Sequence, residues 1–255
     1  MNPSLSIVIP VYRNASTLYQ LHQLLTEVLS HEKYRYELIF VNDSCPGHSL
    51  PVLRELARKD PRTSVLALQK NAGQNQAVLT GLAHSAGEFS VVMDADLQDR
   101  PENIPLLLSS FQGDVMAVFA GRRGDYESPL RLLSSKLFKF FLHLLALKRV
   151  PADAGLFLAM KRPLVDRMLQ IAGEQSYVIG LIAQAALPTI SIPVKRGPNQ
   201  STPSNYSTKM RFQVAWRAVV TAWPYKKIRL SDENLARLKN NVQEYIGDKF
   251  QSNGT

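Results

Sequence analysis

Apolar residues along this chain alternate between short dense runs and stretches where they recur every three or four positions. Ser6-Ile-Val-Ile-Pro10 is too brief for a helix and is closed by a proline, so it reads as a buried strand. From Ser16 the spacing changes, and Leu18, Leu21, Leu24, Leu25 and Val28 mark one face of a helix. The alternation then repeats. Residues 37–41, 64–68 and 89–93 have the density of buried strands, whereas 52–58 and 74–86 have helical spacing. Gly87 is expected to stop the second of those helices. Strands alternating with helices predict an α/β fold, a mostly parallel mixed sheet flanked by helices on both faces.

Beyond Pro101 the pattern loosens. Residues 115–120 read as a strand, 130–147 as a helix, 152–160 as a strand with a turn, and 163–171 as a helix. Residues 190–194 form a short strand whose proline predicts a sheet edge. The segment 195–207, rich in Pro, Ser, Asn and Gln, reads as a loop, and 210–221 as a helix. A last helix is expected from Ser231, a good N-cap, with Leu235, Leu238, Val242 and Ile246 on one face. The expected organisation is one domain over residues 1–230 and a C-terminal helical tail over 231–255 without a transmembrane segment.

Composition narrows the classes. At 255 residues with 45% hydrophobic content the chain can bury one sizeable core. A formal net charge of +9 calls for an anionic partner, such as a nucleotide, a lipid phosphate or a membrane surface. Nucleic acid is not expected, because no aromatic residues interleave with the basic ones to make a stacking surface. The single cysteine, Cys45, rules out an internal disulfide and fits a reducing compartment. Its neighbours do not mark it as an activated nucleophile. The five histidines are scattered, without paired spacing for zinc. The N-terminus has no basic region or cleavage site, and no apolar run reaches the roughly 18–20 residues that a spanning helix needs.

Two polar clusters follow strands directly, and in parallel sheets that is where ligands bind. Asp94-Ala-Asp96-Leu-Gln98-Asp99 follows the run 89–93. If the segment stays extended, Asp94, Asp96 and Gln98 point one way and offer oxygen ligands to a hard divalent cation, Mg²⁺ or Mn²⁺. Standing alone, the cluster is an exposed acidic turn; its place after an apolar strand favours the site. Asn42-Asp43 follows 37–41, where an aspartate could accept bonds from a base or ribose. Taken by itself, this pair is better explained as an Asx turn or helix cap.

Pro10-Val-Tyr12, Val41-Asn-Asp43-Ser, Asn71-Ala-Gly-Gln74 and Met93-Asp-Ala-Asp-Leu-Gln-Asp-Arg-Pro-Glu102 occur in that order. Together they resemble the inverting GT-A glycosyltransferases of family 2, in the branch of dolichol-phosphate mannose synthases and bacterial polyprenyl-phosphate sugar transferases. The similarity continues through residues 131–135, 153–162 and 204–207. It implies a GT-A, Rossmann-like fold and a hexosyltransferase that moves a sugar from a nucleotide-sugar donor. A UDP-sugar is favoured, with GDP- or dTDP-sugars as alternatives. The implied acceptor is polyprenyl phosphate, with a saccharide hydroxyl of cell-envelope polysaccharide as the alternative. A non-catalytic nucleotide-binding module on the same fold is the rival from another class.

The resemblance also implies roles. Pro10, Tyr12 and Asp43 match nucleoside-holding positions; Asp94 and Asp96 match the diphosphate and metal motif, and Gln98 a further metal ligand. Arg122 or Arg123, with Arg131 and Ser135, match a basic set that grips phosphate. Asp153 matches an acidic acceptor-side position, a general base where the acceptor is a hydroxyl. Asp96, Asp153 and Arg131 are therefore the expected catalytic set. The chain departs from the family pattern at Asn14, where glutamate is common, and at Asn42, where aspartate is common. It also lacks an arginine between Gly155 and Arg162, and has Pro203 near a usual glycine. Residues 130–149 carry apolar and basic positions in alternation, which suits either a membrane interface or a core-facing helix with a solvated basic face. The expected location is cytoplasmic, with peripheral contact at the inner face of the membrane.

Overall fold

The computed structural model describes residues 3–122, 150–174, 176–195, 197 and 232–247. Eight strands form one sheet: β1 (Leu5–Val11), β2 (Tyr36–Asn42), β3 (Thr63–Leu68), β4 (Phe89–Val92), β5 (Ala117–Arg122), β6 (Leu158–Lys161), β7 (Thr189–Val194) and β8 (Val242–Ile246). Their spatial order is β7-β5-β6-β4-β1-β2-β3-β8. Pairs β1–β2, β1–β4, β2–β3 and β5–β7 are parallel, whereas β6 runs antiparallel to β4 and β5, and β8 antiparallel to β3. The expected α/β class and the edge position of the proline-bearing strand β7 both hold.

Every residue of β1, β2 and β3 is buried. Their near-continuous apolar runs follow from coverage on both faces, which leaves no polar side to alternate with. The two faces form two cores. Ile7, Ile9, Leu38 and Phe40 point to the layer containing α1 (Leu18–His31), α2 (Ser49–Lys59) and α4 (Ile104–Ser109). Val8, Ile39 and Val41 point to the other layer, with α3 (Gln74–His84), α5 (Arg162–Ile171), α6 (Val178–Ala185) and α7 (Asp232–Asn240). Alternate strand residues serve opposite layers, as the pleat requires.

The chain lays down β1, β2 and β3 in one direction, then crosses through α3 to place β4 on the other side of β1. The order therefore reverses between β1 and β4, and a crevice opens beyond their carboxyl ends. Pro10 sits in this reversal. Val8 accepts the Met93 amide through its carbonyl, so Pro10, two residues on, also faces the β4 side. β4 has ended opposite Val8, and the missing N–H of Pro10 breaks no ladder bond.

Two expectations are corrected. Gly87 does not stop α3, which ends at His84 with Ser85 hydrogen-bonded to the Leu82 carbonyl at 2.7 Å. Gly87 is instead where the chain crosses β1: a Cβ there would lie 2.7 Å from Ser6 N and from Phe89 O. The C-terminal tail, expected to be helical, is helix only to Asn240 and then strand β8. Val242 and Ile246 fit a helical face, but 242, 244 and 246 alternate equally well, and the open edge of β3 offers them backbone partners. Arg54 meets Glu244 at 2.5 Å and Ser64 meets Tyr245 OH at 3.1 Å, which fix the added strand. Helices α4 and α6 have no counterpart among the elements that the sequence pattern predicts. The helices expected over 130–147 and 210–221, and most of the 195–207 loop, lie outside the described residues. No helix among the described residues is long and apolar enough to cross a membrane.

Candidate functional site

The acidic motif is a turn and not an extended strand end. β4 stops at Val92, and Leu97 adopts φ 64°, so the chain reverses within the motif. The expected alternation of Asp94, Asp96 and Gln98 on an extended segment is therefore replaced by a turn tied down on several sides. Asp99, almost fully buried, accepts the Asp94 amide at 3.1 Å. Thr17, just before α1, donates to the Ala95 carbonyl at 2.5 Å, and Gly197 donates its amide to the Gln98 carbonyl at 2.9 Å. Within the turn Asp96 accepts Gln98 N at 3.0 Å and Gln98 Nε2 at 2.6 Å. That contact turns the Gln98 amide oxygen away from Asp96. Asp94 is reached from elsewhere: Gln74, the first residue of α3, donates Nε2 to its Oδ1 at 2.6 Å.

Asp43 ends up joined to the same helix. Its Oδ1 accepts the Ala72 amide at 2.7 Å and its Oδ2 the Gly73 amide at 2.9 Å. Asp43 is therefore not a helix cap: it accepts the two amides that precede α3, so it holds the loop leading into the helix and not the first turn of the helix. Burial pushes the Asp43 carboxyl above its ordinary value, and the two amides pull in the opposite direction. Asn42 Oδ1 accepts Cys45 N at 2.9 Å, three residues on, one residue beyond the reach of the expected Asx turn. Cys45 in turn accepts the Arg13 amide through Sγ at 3.0 Å, which joins the loops after β1 and β2.

Around these anchors the other expected residues separate into groups. Pro10 is buried within β1, opposite Val41, and supports the crevice from below. Tyr12 is 41% exposed, with the Arg13 guanidinium 5.2 Å from its ring centroid, and presents an open aromatic face. Asp94 and Asp99 line a small, solvent-open depression together with Gly155, Phe157 and Val194. Beside it Asp153 is exposed and accepts Ser191 Oγ of β7 at 2.9 Å. Gly121 of β5 makes room for that pair, since a Cβ there would clash with Asp153 Oδ2 and lie 2.5 Å from Ser191 Oγ. Arg122 ends β5, paired with Val194. Arg123, Arg131 and Ser135 lie outside the described residues.

The donor set suits a hard cation that shares its coordination with phosphate. Among the described residues no group of three or more His, Cys, Asp or Glu side chains converges to hold a metal. Two carboxylates on one turn, Asp94 and Asp96, supply hard oxygen donors of the kind that Mg²⁺ and Mn²⁺ complete with diphosphate oxygens and water, and Gln98 would add its oxygen only by turning its amide over. The residues present fit the ion on that basis. Gln74, Asp99, Ser191 and Gly121 were not singled out as site residues from sequence. Gln74 and Asp99 lie inside motifs that carry the family resemblance; Ser191 and Gly121 carry no local signal.

The model of glycosyl transferase family 2 matches residues 6–169. An uncharacterized glycosyltransferase of Bacillus subtilis is 28% identical over 227 residues, covering 89% of this chain and 70% of that protein. The undecaprenyl-phosphate 4-deoxy-4-formamido-L-arabinose transferase of Proteus mirabilis is 31% identical over 204 residues, covering 79% of this chain. The chain spans 62% of that relative's length. Among solved structures, glucosyl-3-phosphoglycerate synthase of Mycobacterium tuberculosis, in complex with Mn²⁺, UDP and glucosyl-3-phosphoglycerate, superposes with a TM-score of 0.62 at 17% identity. That match covers 86% of this chain and 80% of the other. A mannosyltransferase of Pyrobaculum calidifontis, in complex with GDP-Man and Mn²⁺, gives 0.59 at 16% identity, covering 94% and 69%. The fold is GT-A.

Proposed function

The chain belongs to glycosyl transferase family 2, and from that premise we propose that it transfers a sugar from a nucleotide-diphosphate sugar to polyprenyl phosphate at the inner face of the membrane. The observation that carries this reading is the clamped Asp94–Asp99 turn at the sheet's reversal point, connected through Gln74 to the loop that Asp43 holds. The undecaprenyl-phosphate transferases at about three-tenths identity support the acceptor class. The two Mn²⁺-bound neighbours, with UDP and GDP-Man, support a divalent ion and a nucleotide donor, and a UDP-sugar is the donor we propose first. We assign the catalytic unit to residues 1–230 and a tail to 231–255, of which strand β8 pairs with the edge of β3.

In this reading Pro10, Tyr12 and Asp43 receive the nucleoside, Tyr12 by stacking and Asp43 through lone pairs left beside its two amide bonds. Asp94, Asp96 and, with its amide turned over, Gln98 would hold Mg²⁺ or Mn²⁺, which would supply charge neutralisation to a departing diphosphate. Arg122, Arg123, Arg131 and Ser135 hold the acceptor phosphate. An acceptor oxygen attacks the anomeric carbon as the bond to the diphosphate breaks, and one displacement inverts the configuration. A phosphate acceptor is already ionised near neutral pH, so Asp153 then orients the sugar and moves no proton. Transfer to a saccharide hydroxyl is the second reading. It is favoured by one observation: Asp153 stands exposed and oriented by Ser191, as a general base would need to be.

The test is incubation of the full chain with UDP-, GDP- and dTDP-sugars and either undecaprenyl phosphate in detergent or a panel of saccharides, with Mn²⁺ or with EDTA. Metal-dependent formation of a lipid-linked sugar is the expected result. Transfer unaffected by chelation removes the metal; transfer only to saccharides replaces the acceptor.

A further inference from the structure

Asp94 and Asp96 are oriented by different parts of the molecule. The bonds to Asp96 come from Gln98, two residues away in the same turn. The carboxylate of Asp94 is gripped from another element, by Gln74 at 2.6 Å. Ala72 and Gly73, immediately before Gln74, donate their amides to Asp43. Three consecutive residues therefore touch two carboxylates that follow β2 and β4, with β1 lying between those strands. The segment 72–74 spans the carboxyl end of β1, the place where a nucleotide laid across the crevice would run from base to diphosphate.

We propose that Gln74 is a positioning residue that fixes the Asp94 carboxylate toward the donor diphosphate, so that residues 72–74 couple nucleoside recognition at Asp43 to metal-dependent diphosphate binding at Asp94. The inference rests on the donor-site reading given above. Its physical basis is orientation. A carboxylate on a turn has free rotamers, and a ligand that must meet a small octahedral ion gains from having its plane set beforehand. Partners of this kind change metal affinity by about 10–100-fold in characterised sites. A neutral amide suits the position. It donates one hydrogen bond and leaves the negative charge of Asp94 to the cation, whereas an ammonium group there would compensate that charge and compete with the ion.

The test uses the full chain with Gln74→Met, which keeps length and removes the donor. Gln74→Ala, with high helix propensity, is the second variant should methionine disturb packing. UDP, GDP and dTDP are titrated by calorimetry in EDTA and in Mn²⁺. The nucleotide that binds wild type serves as the probe, and thermal midpoints are recorded in parallel. Loss of the orienting bond should weaken the Mn²⁺-dependent affinity by at least about tenfold and leave metal-free affinity within about twofold. Equal loss in EDTA and Mn²⁺, or no loss in either, overturns the positioning role and leaves the donor site standing. If none of the three nucleotides binds wild type in Mn²⁺, the donor-site reading falls, and this inference with it.

Discussion

The carboxylate of Asp43 accepts the amide of Gly73 at 2.9 Å, and Gly73 can offer that amide because of its backbone conformation. Gly73 has φ 85° and ψ 156°, a region that residues with a Cβ avoid. A Cβ at this position would meet nothing within 4 Å, so any penalty for adding one comes from the backbone alone. Gly73→Ala should therefore cost about 1–3 kcal/mol. The cost appears as a lowered thermal midpoint together with weaker nucleotide binding, because the strained loop is the one that caps Asp43. An unchanged midpoint would show that the loop relaxes freely and that its conformation is not set by the carboxylate.

Asp96→Asn tests the acidic turn. The change replaces one acceptor oxygen with a donor facing Gln98, in a half-buried turn that Asp99, Thr17 and Gly197 still clamp. The fold should survive, with a stability change of about 1 kcal/mol or less. Turnover should drop by more than about a hundredfold, since a ligand charge is lost from the diphosphate site. Circular dichroism and initial rates on the same preparation separate the two effects. Near-normal rates would make the cluster structural.

Two glycines make opposite predictions from similar crowding. At Gly121 the atoms in the way of a Cβ are the ends of the Asp153 and Ser191 side chains, which can swing aside. At Gly87 they are backbone atoms of Ser6, Leu5 and Phe89, fixed in the centre of the sheet. Gly121→Ala should leave the thermal midpoint nearly unchanged while displacing Asp153. A fall in kcat follows if the acceptor is a hydroxyl and mainly a rise in KM if it is a phosphate. Gly87→Ala should be strongly destabilising, about 3 kcal/mol or more, because strands β1 and β4 must separate to admit the methyl group. Equal midpoints for both variants would contradict the distinction between side-chain and backbone crowding.

The sheet and its first three helices were legible because parallel strands buried on both faces leave dense apolar runs, as in 37–41, and amphipathic helices leave spaced ones, as in Leu18 to Val28. The motif at Asp94 was legible from its place after a strand; its turn geometry was not, because φ 64° at Leu97 has no marker in a leucine. Val242 and Ile246 misled because a five-residue segment fits helical and extended periods alike, and only the open edge of β3 decides. Ser191, Gly121 and the partnership of Gln74 with Asp94 could not be read in advance. Each depends on residues at least 20 positions apart meeting in space, which no local pattern encodes.

The buried carboxylate of Glu37 gives a prediction at the opposite end of the sheet. It accepts Ser6 Oγ at 2.5 Å and the Ala86 amide at 2.7 Å, while Arg162 binds the carbonyls of Ser85 and Gly87 close by. Burial pushes its carboxyl above the ordinary value of 4.5, and Ser6, Ala86 and Arg162 offset this only in part. A folded value above the unfolded one means that the native state holds the proton more tightly. The stability this contributes is fully present below 4.5 and is lost as pH rises through the folded value. Glu37→Gln keeps the shape and an acceptor oxygen for Ala86 but cannot titrate. The difference in thermal midpoint, wild type minus variant, should therefore be level below pH 4.5, fall as pH rises beyond it, and level again above the folded value. Midpoints measured at closely spaced pH values decide the matter: a difference independent of pH would show that the carboxyl titrates alike in the folded and unfolded chain, and that Ser6, Ala86 and Arg162 cancel the effect of burial completely.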